Sequence, residues 1–219
     1  MKPDCVLFDF DGVIADTESS NARYLGKALA VFGVAVTPED ERRMVGVNDR
    51  EILEELLQRA EPPVTVERLL EERRRQGNTY ENEPSLAPMP GLLPFLWRLR
   101  AAGIRTALVT STSSRLILAA LNRMGMSALF DAILCGDMVE KRKPSPEGYQ
   151  KAMALLGAAP ERSIVIEDSP VGIRAGKSAG ALVAAYKCGS FSQNTSQADF
   201  EIWDYEDCLS LPIFGLSIE

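Results

Sequence analysis

Two aspartates, Asp9 and Asp11, are the first residues whose type and spacing could do chemistry. They follow the apolar run CVLF at residues 5–8, and Gly12 comes directly after them. A short apolar run predicts a buried strand of a parallel sheet, and open α/β sheets bind their ligands at the carboxyl ends of strands. Taken alone, the stretch also fits a simple turn, with Asp9 as a cap and Asp11-Gly12 as the turn residues.

Polar residues close two later apolar runs and occupy a loop between them. Thr110 and Ser111 follow one run, the loop KRKP contains Lys143, and Glu167 and Asp168 follow another run. If these strands are parallel, the loops lie on one edge of the sheet. The joint occurrence of these groups, in order along the chain, favours a functional site over a set of unrelated turns and surface residues.

Phosphoryl transfer at an acidic metal site needs this combination of side chains. Hard oxygen ligands select Mg²⁺, and Asp9, Glu167 and Asp168 could supply them. A carboxylate can also be the nucleophile, which forms an acyl phosphate. A phosphate dianion repels that carboxylate, so the metal and a nearby cation must neutralise the approach, and Lys143 could be this cation.

The remaining polar residues fit the other needs of the same reaction. Thr110 offers a hydroxyl, and Ser111 a backbone N–H, to the phosphate oxygens that do not react. Asp11 lies two residues beyond Asp9 and therefore points to the same side of an extended strand. From there it could protonate the leaving oxygen and then activate water. A calcium-binding EF-hand loop is excluded, because a strand flanks the DFDG segment and the bidentate glutamate is missing.

The elements that would position these residues alternate between helix and strand. This pattern, which begins at Gly91, indicates βαβ crossovers and a parallel sheet. In the helix predicted at 92–102, the inward-facing residues are expected to be Leu93, Leu96, Trp97 and Leu99. The strands that follow the first are predicted at 104–109, 132–135, 163–166 and 181–185, with one more around 200–203.

A helical segment separates the first strand from the rest. Residues 19–80 show helical periodicity and no convincing strand, and Thr37 before Pro38 predicts a helix start. The fold class is therefore α/β: a Rossmann-like parallel sheet with helices on both faces and an inserted all-helical domain. The predicted domains are a core that contains the sheet, at 1–15 and 86–219, and the inserted helical domain at 16–85.

Composition excludes several classes of function. The net charge of −7 argues against nucleic-acid or anionic-membrane partners, which need concentrated cationic patches. The chain has no histidine, which removes Ser-His-Asp and Cys-His catalysis and His-ligated zinc. We expect a cytoplasmic protein, because the first residues do not resemble a signal peptide, no run is long enough to span a membrane, and the four cysteines form no CxxC pair.

The segments FDFDGVIADTE, LVTSTS, KRKP and VIEDS resemble the four sequence motifs of the haloacid dehalogenase superfamily. The similarity covers nearly the whole chain. It is greatest to the branch with an α-helical cap after the first strand, which includes β-phosphoglucomutase and many sugar-phosphate and phosphoglycolate phosphatases. The resemblance implies Asp9 as the nucleophile, and Asp11 as the general acid/base and a metal ligand through its backbone carbonyl. It also implies phosphate binding by Thr110 and Lys143.

The same resemblance implies Mg²⁺ at Glu167 and Asp168 and substrate selection by the cap. Gly46-Val47 resembles the specificity loop of the family, and the candidate specificity residues are Asn21, Val47, Asn48 and Arg50. Dehalogenases lack the second aspartate, whereas Asp11 is present here. Phosphonate-cleaving relatives need a cap lysine, and this chain has no lysine between Lys27 and Lys141.

The choice within the family is therefore between a phosphatase and a phosphomutase. Mutases of the β-phosphoglucomutase type carry a histidine on the first cap helix, and the matching residue here is Asn21. We expect a monomeric, Mg²⁺-dependent phosphatase whose partner is a small phosphorylated metabolite, such as a sugar phosphate. A phosphomutase is the alternative within the family, and a non-catalytic phosphate-binding relative is the alternative from another class.

Overall fold

The computed structural model describes residues 2–44, 50–189 and 193–216. The chain divides into two compact units, one formed by Met1–Asp16 and Ala87–Glu219 and the other by Thr17–Leu86. In the described residues the first unit contains all the strands, and the second contains only helices and connecting segments. No described helix combines the length and the apolar character that crossing a membrane requires.

A six-stranded, all-parallel sheet forms the centre of the first unit. Its spatial order is β3-β2-β1-β4-β5-β6, so the first strand lies in the middle. The predicted α/β fold with a parallel sheet is confirmed. The strands are β1 (Cys5–Phe8), β2 (Arg105–Val109), β3 (Ala132–Leu134), β4 (Ser163–Glu167), β5 (Leu182–Tyr186) and β6 (Phe200–Ile202).

The register of the three central strands brings their carboxyl ends to one edge. Phe8 of β1 is aligned with Leu108 of β2 on one side and with Ile166 of β4 on the other. The next residues of these strands, Asp9, Val109 and Glu167, therefore lie at the same level of the sheet. These three strands are buried on both faces, as expected for a parallel sheet that helices cover.

Helices cover both faces of the sheet. Successive strand residues point to opposite faces, so Leu7 and Phe8 belong to different packing layers. The helices of this unit are α6 (Leu92–Ala101), α7 (Ser114–Arg123), α8 (Glu147–Leu156), α9 (Pro170–Ser178) and α10 (Tyr205–Cys208). Leu7 lies in an apolar cluster with residues of α8 and α9, whereas Phe8 contacts the rings of Phe95 on α6 and Tyr205 on α10.

The predicted inward face of α6 is wrong in part. Leu96 and Leu99 are buried, but Leu93 is 37% exposed and Trp97 is 56% exposed. Phe95 is buried instead and contacts the rings of Phe8 and Phe214. Apolar residues occur around most of this helix, so periodicity did not define which side faces the sheet.

The all-helical unit has its own apolar core. Leu29, Leu56 and Leu69 from three different helices are fully buried in it. The predicted helix start at Thr37 is confirmed, because its hydroxyl accepts a hydrogen bond from the backbone N–H of Asp40 at 3.1 Å. The helices are α1 (Glu18–Val31), α2 (Pro38–Met44), α3 (Arg50–Leu57), α4 (Val66–Gln76) and α5 (Thr79–Asn82).

Substitution of two adjacent leucines on α8 measures how much the packing of this helix against the sheet contributes to the free energy of unfolding. Leu156 is 5% exposed in the core cluster, whereas Leu155 is 69% exposed. We expect Leu156→Ala to lower the free energy of unfolding by about 2–5 kcal/mol, because it removes packed methyl groups and leaves a cavity. Leu155→Ala, the matched control, should change it by no more than about 0.5 kcal/mol. Denaturant unfolding measures both, and equal losses would contradict this packing.

Candidate active site

Asp9 continues the first strand at its carboxyl end. Its backbone N–H donates to the carbonyl of Ile166 at 3.0 Å, which extends the pairing with β4 by one residue. The chain then turns at Gly12, whose φ is +77°. A Cβ at this position would lie 2.1 Å from Oδ2 of Asp168, so glycine is required both by the backbone angle and by the closeness of the Asp168 carboxylate.

The ammonium of Lys143 joins the first strand to the fourth. Its Nζ lies 2.5 Å from Oδ1 of Asp9, 2.7 Å from Oε1 of Glu167 and 2.9 Å from the backbone carbonyl of Val109. These three acceptors match the three protons of the ammonium. Although burial alone lowers the pKa of a lysine, the carboxylates of Asp9 and Glu167 raise the pKa of Lys143 well above its ordinary value.

Glu167 is fully buried and accepts hydrogen bonds on both carboxylate oxygens. Oε1 accepts from Lys143 and from the hydroxyl of Tyr149, the latter at 2.9 Å. Oε2 accepts from the backbone N–H of Asp168 at 3.1 Å and from the backbone N–H and hydroxyl of Ser169 at 3.2 and 3.0 Å. Glu167 therefore orients the lysine and also fixes the start of the loop that carries Asp168.

Asp9, Glu167 and Asp168 form a buried acidic cluster. One carboxylate oxygen from each lies within 4.8 Å of the others. Burial raises the pKa of Asp9 to about 8, and the Lys143 ammonium opposes that rise. If all three carboxylates were ionised, the cluster and the single ammonium would carry two negative charges in excess. A divalent cation would balance that charge and favour the ionised form of Asp9. An oxygen-only ligand set of this kind fits Mg²⁺.

Asp11 is positioned by a residue that the sequence did not single out. The hydroxyl of Thr112 donates to Oδ2 of Asp11 at 3.1 Å. The backbone N–H of Thr112 in turn donates to the hydroxyl oxygen of Thr110 at 3.1 Å. The run of hydroxyl residues after β2 was the available signal, but sequence could not tell which hydroxyl reaches the aspartate.

Thr110 and Ser111 follow β2, as predicted. The backbone N–H of Thr110 donates to the carbonyl of Leu134 at 2.9 Å, which aligns this loop with the end of β3. The backbone of Ser111 lies close to Gly136: a Cβ added to Gly136 would lie 2.1 Å from the carbonyl oxygen of Ser111. Both residues line a small cavity together with Lys143, and the lining of that cavity includes none of the three acidic residues of the cluster.

The loop that carries Lys143 is closed by Glu147, which sequence analysis also missed. The two carboxylate oxygens of Glu147 accept the backbone N–H groups of Glu140 and Lys141, each at 2.9 Å. Lys151, one turn later on α8, lies 2.6 Å from the same carboxylate. The hydrogen bond from the Lys151 ammonium, together with the two backbone N–H groups, lowers the pKa of Glu147 to about 2, so the carboxylate is ionised at neutral pH.

The four candidate specificity residues belong to the helical unit. Asn21 lies on α1, where its Oδ1 accepts a hydrogen bond from the Thr79 hydroxyl at 2.9 Å. Arg50 begins α3 and pairs with Glu54 at 2.7 Å and Glu67 at 2.8 Å. Val47 and Asn48 lie outside the described residues.

The parallel sheet is Rossmann-like, and its acidic cluster lies at the carboxyl ends of the strands, where such α/β folds bind their ligands. A sequence model of the haloacid dehalogenase-like hydrolases matches residues 6–186. The chain therefore belongs to the haloacid dehalogenase-like hydrolase family. This confirms the family resemblance that the four motifs indicate.

Similar proteins extend over most of the chain. A phosphorylated carbohydrates phosphatase of Thermotoga maritima is 34% identical over 81% of this chain and 82% of its own length. A phosphoglycolate phosphatase of Aquifex aeolicus is 28% identical over 94% of this chain and 95% of its own length. The crystal structure of CbbY from Rhodobacter sphaeroides in complex with phosphate matches with a TM-score of 0.79. That structure is 28% identical and covers 98% of this chain and 100% of its own.

Gly172 on α9 tests the packing around Glu167. A Cβ at this position would lie 1.7 Å from Oε1 of Glu167. We expect Gly172→Ala to displace Glu167, and with it Lys143, and so to lower phosphatase activity at least about tenfold, which corresponds to 1.4 kcal/mol of lost stabilisation. The melting temperature should fall as well.

Gly26→Ala is the matched control. Gly26 lies within α1, and a Cβ added to it would have a side-chain carbon of Val36 as its nearest neighbour, at 3.8 Å. This substitution should leave activity unchanged and stabilise the helix by no more than about 1 kcal/mol. A Gly172→Ala enzyme with the activity of the Gly26→Ala enzyme would show that Glu167 does not need its observed position.

Proposed function

We propose that this protein is a Mg²⁺-dependent phosphatase that hydrolyses a small phosphorylated metabolite, such as a sugar phosphate, through an aspartyl-phosphate. The observation that carries the proposal is the buried contact of Lys143 with both Asp9 and Glu167, beside Asp168. This arrangement holds a carboxylate and a cation together where a phosphate can approach both. The names of the relatives from Thermotoga maritima and Aquifex aeolicus support phosphorylated small molecules as substrates.

Asp9 is the nucleophile in this proposal. One of its carboxylate oxygens attacks phosphorus while the bond from phosphorus to the leaving oxygen breaks, which transfers the phosphoryl group to Asp9. Lys143 holds Oδ1 of Asp9 and offers positive charge to the incoming phosphate oxygens. The Thr110 hydroxyl and the Ser111 backbone N–H bind the oxygens that do not react.

Asp11 moves the protons of both steps. In the first step the protonated carboxyl group gives its proton to the leaving oxygen, so the alcohol departs neutral. In the second step the carboxylate takes a proton from water, whose oxygen attacks phosphorus and releases orthophosphate and free Asp9. The hydrogen bond from Thr112 keeps the Asp11 side chain in one orientation for both transfers.

Mg²⁺ fits the acidic cluster at the edge of the sheet. The carboxylates of Asp9 and Asp168 are the proposed direct ligands, together with Glu167 in the same cluster and the backbone carbonyl of Asp11. The bound ion supplies positive charge that stabilises the phosphoryl group as it is transferred. Because Glu167 already accepts five hydrogen bonds, its main contribution in this proposal is to orient Lys143 and the Asp168 loop.

The helical unit is the proposed cap domain and the source of substrate specificity. Asn21, Val47, Asn48 and Arg50 are the residues proposed to select the substrate. Asn21 stands where β-phosphoglucomutases carry a histidine, and an asparagine side chain does not titrate between pH 5 and 8. This difference favours hydrolysis over phosphoryl return to the sugar.

Asp9→Asn tests both the nucleophile and the proposed activity. A neutral amide cannot form the acyl phosphate, so we expect complete loss of p-nitrophenyl phosphate hydrolysis. EDTA should abolish wild-type hydrolysis, and added Mg²⁺ should restore it. Asp207→Asn changes an exposed aspartate of α10 and should retain full activity. Turnover by Asp9→Asn would refute the assigned nucleophile, and a wild type without turnover would favour a phosphate-binding protein.

β-Glucose 1-phosphate separates the phosphatase from the phosphomutase. We expect free phosphate to appear faster than glucose 6-phosphate when both products are measured in the same steady-state reaction. The Asp9→Asn enzyme, run in parallel, should form neither product, which assigns both to one site. Faster formation of glucose 6-phosphate would overturn the proposed hydrolytic function in favour of the mutase.

A further inference from the structure

Tyr149 is a buried side chain that none of the four sequence motifs includes. It lies on the first turn of α8 and is only 1% exposed. We propose that Tyr149 is a positioning residue that holds Lys143 in its phosphate-binding location. This inference rests on the proposed function of the site and adds a residue that acts through the lysine, without contact to the reacting atoms.

The hydroxyl of Tyr149 competes with Lys143 for one oxygen of Glu167. Both groups donate to Oε1, the tyrosine at 2.9 Å and the lysine at 2.7 Å. A carboxylate oxygen that already accepts a hydrogen bond from the tyrosine hydroxyl attracts the ammonium less strongly. The lysine can then remain within 2.5 Å of Asp9 Oδ1, on the side where the phosphate arrives.

The ring of Tyr149 limits the lysine from a second direction. The Nζ of Lys143 lies 5.0 Å from the ring centroid, within the range of a cation–π contact. A lysine side chain has a flexible four-carbon stem and many rotamers. The ring removes some of these rotamers and stabilises the ammonium where it faces Asp9. Hydroxyl and ring therefore act on the same charged group.

Tyr186 is a matched control, because it is a buried tyrosine whose hydroxyl does not contact the acidic cluster. It lies at the end of β5 and is as well buried as Tyr149, and its ring stacks on Tyr205 at 4.7 Å between centroids. Within the described part of the chain its hydroxyl has no hydrogen-bond partner. Removing this hydroxyl changes the volume of a buried ring in the same way but breaks no contact to the acidic cluster.

The test compares Tyr149→Phe with Tyr186→Phe in the full-length protein with Mg²⁺. Loss of the Tyr149 hydroxyl should let Lys143 move toward Glu167, which weakens phosphate binding in the ground state and the transition state alike. We expect the KM for p-nitrophenyl phosphate and the inhibition constant of inorganic phosphate to rise together by about five- to tenfold, with kcat changed less than about twofold. Tyr186→Phe should change none of these constants more than about twofold.

Tyr149→Met separates the hydroxyl from the ring. It fills much of the ring volume but removes both contacts, so its KM should exceed that of Tyr149→Phe. Melting temperatures of all three variants show whether a change comes from the fold. Unchanged constants in a folded Tyr149→Phe protein would overturn the proposal, as would a lower melting temperature without a rise in KM.

Binding of inorganic phosphate keeps this test independent of turnover. Calorimetric titration of phosphate into the Mg²⁺-loaded wild type and Tyr149→Phe proteins should give dissociation constants that differ about five- to tenfold. If the wild type bound phosphate but hydrolysed no phosphomonoester, the proposed function would fail while this comparison still decided the role of Tyr149. Equal affinities would reject that role even in an active phosphatase.

Discussion

The ion pair of Lys143 with Asp9 and Glu167 is the interaction on which the site depends. A buried ammonium and buried carboxylates are each costly to remove from water, and they are tolerated only when paired and hydrogen-bonded. All three proton positions of the lysine are used. Because its partners leave two different strands, this single side chain fixes the distance between the proposed nucleophile and the loop that carries Asp168.

The surroundings of that ion pair are built to prevent movement. Glu167 accepts hydrogen bonds from the side chains of Tyr149 and Ser169 as well as from Lys143. The carboxylate also lies directly against the backbone of α9 at Gly172, where any Cβ would overlap it. Charge that is fixed before the substrate arrives needs little reorganisation during reaction, which is the main source of electrostatic catalysis.

The sequence predicted the site residues at strand ends better than the residues that hold those side chains in position. Asp9 and Glu167 follow apolar runs, so parallel pairing was enough to bring them together. Tyr149 and Thr112 act through contacts between distant elements, and no local pattern reveals a contact of that kind. The face of α6 was assigned wrongly at Trp97 because its apolar residues are not confined to one side. The cap residues stay predictions, since their part in selecting a substrate depends on chemistry that the sequence pattern does not contain.

The central position of β1 has a consequence for folding. Its neighbours in the sheet are 100 and 158 residues away along the chain, as the pairs of Cys5 with Arg105 and Ser163 show. Closing such long loops costs conformational entropy before any pairing is gained, so structures of this topology fold slowly. Asp9 and Lys143 meet only after that closure. Because the site needs these distant segments together, recovery of activity during refolding should report the closure of both long loops.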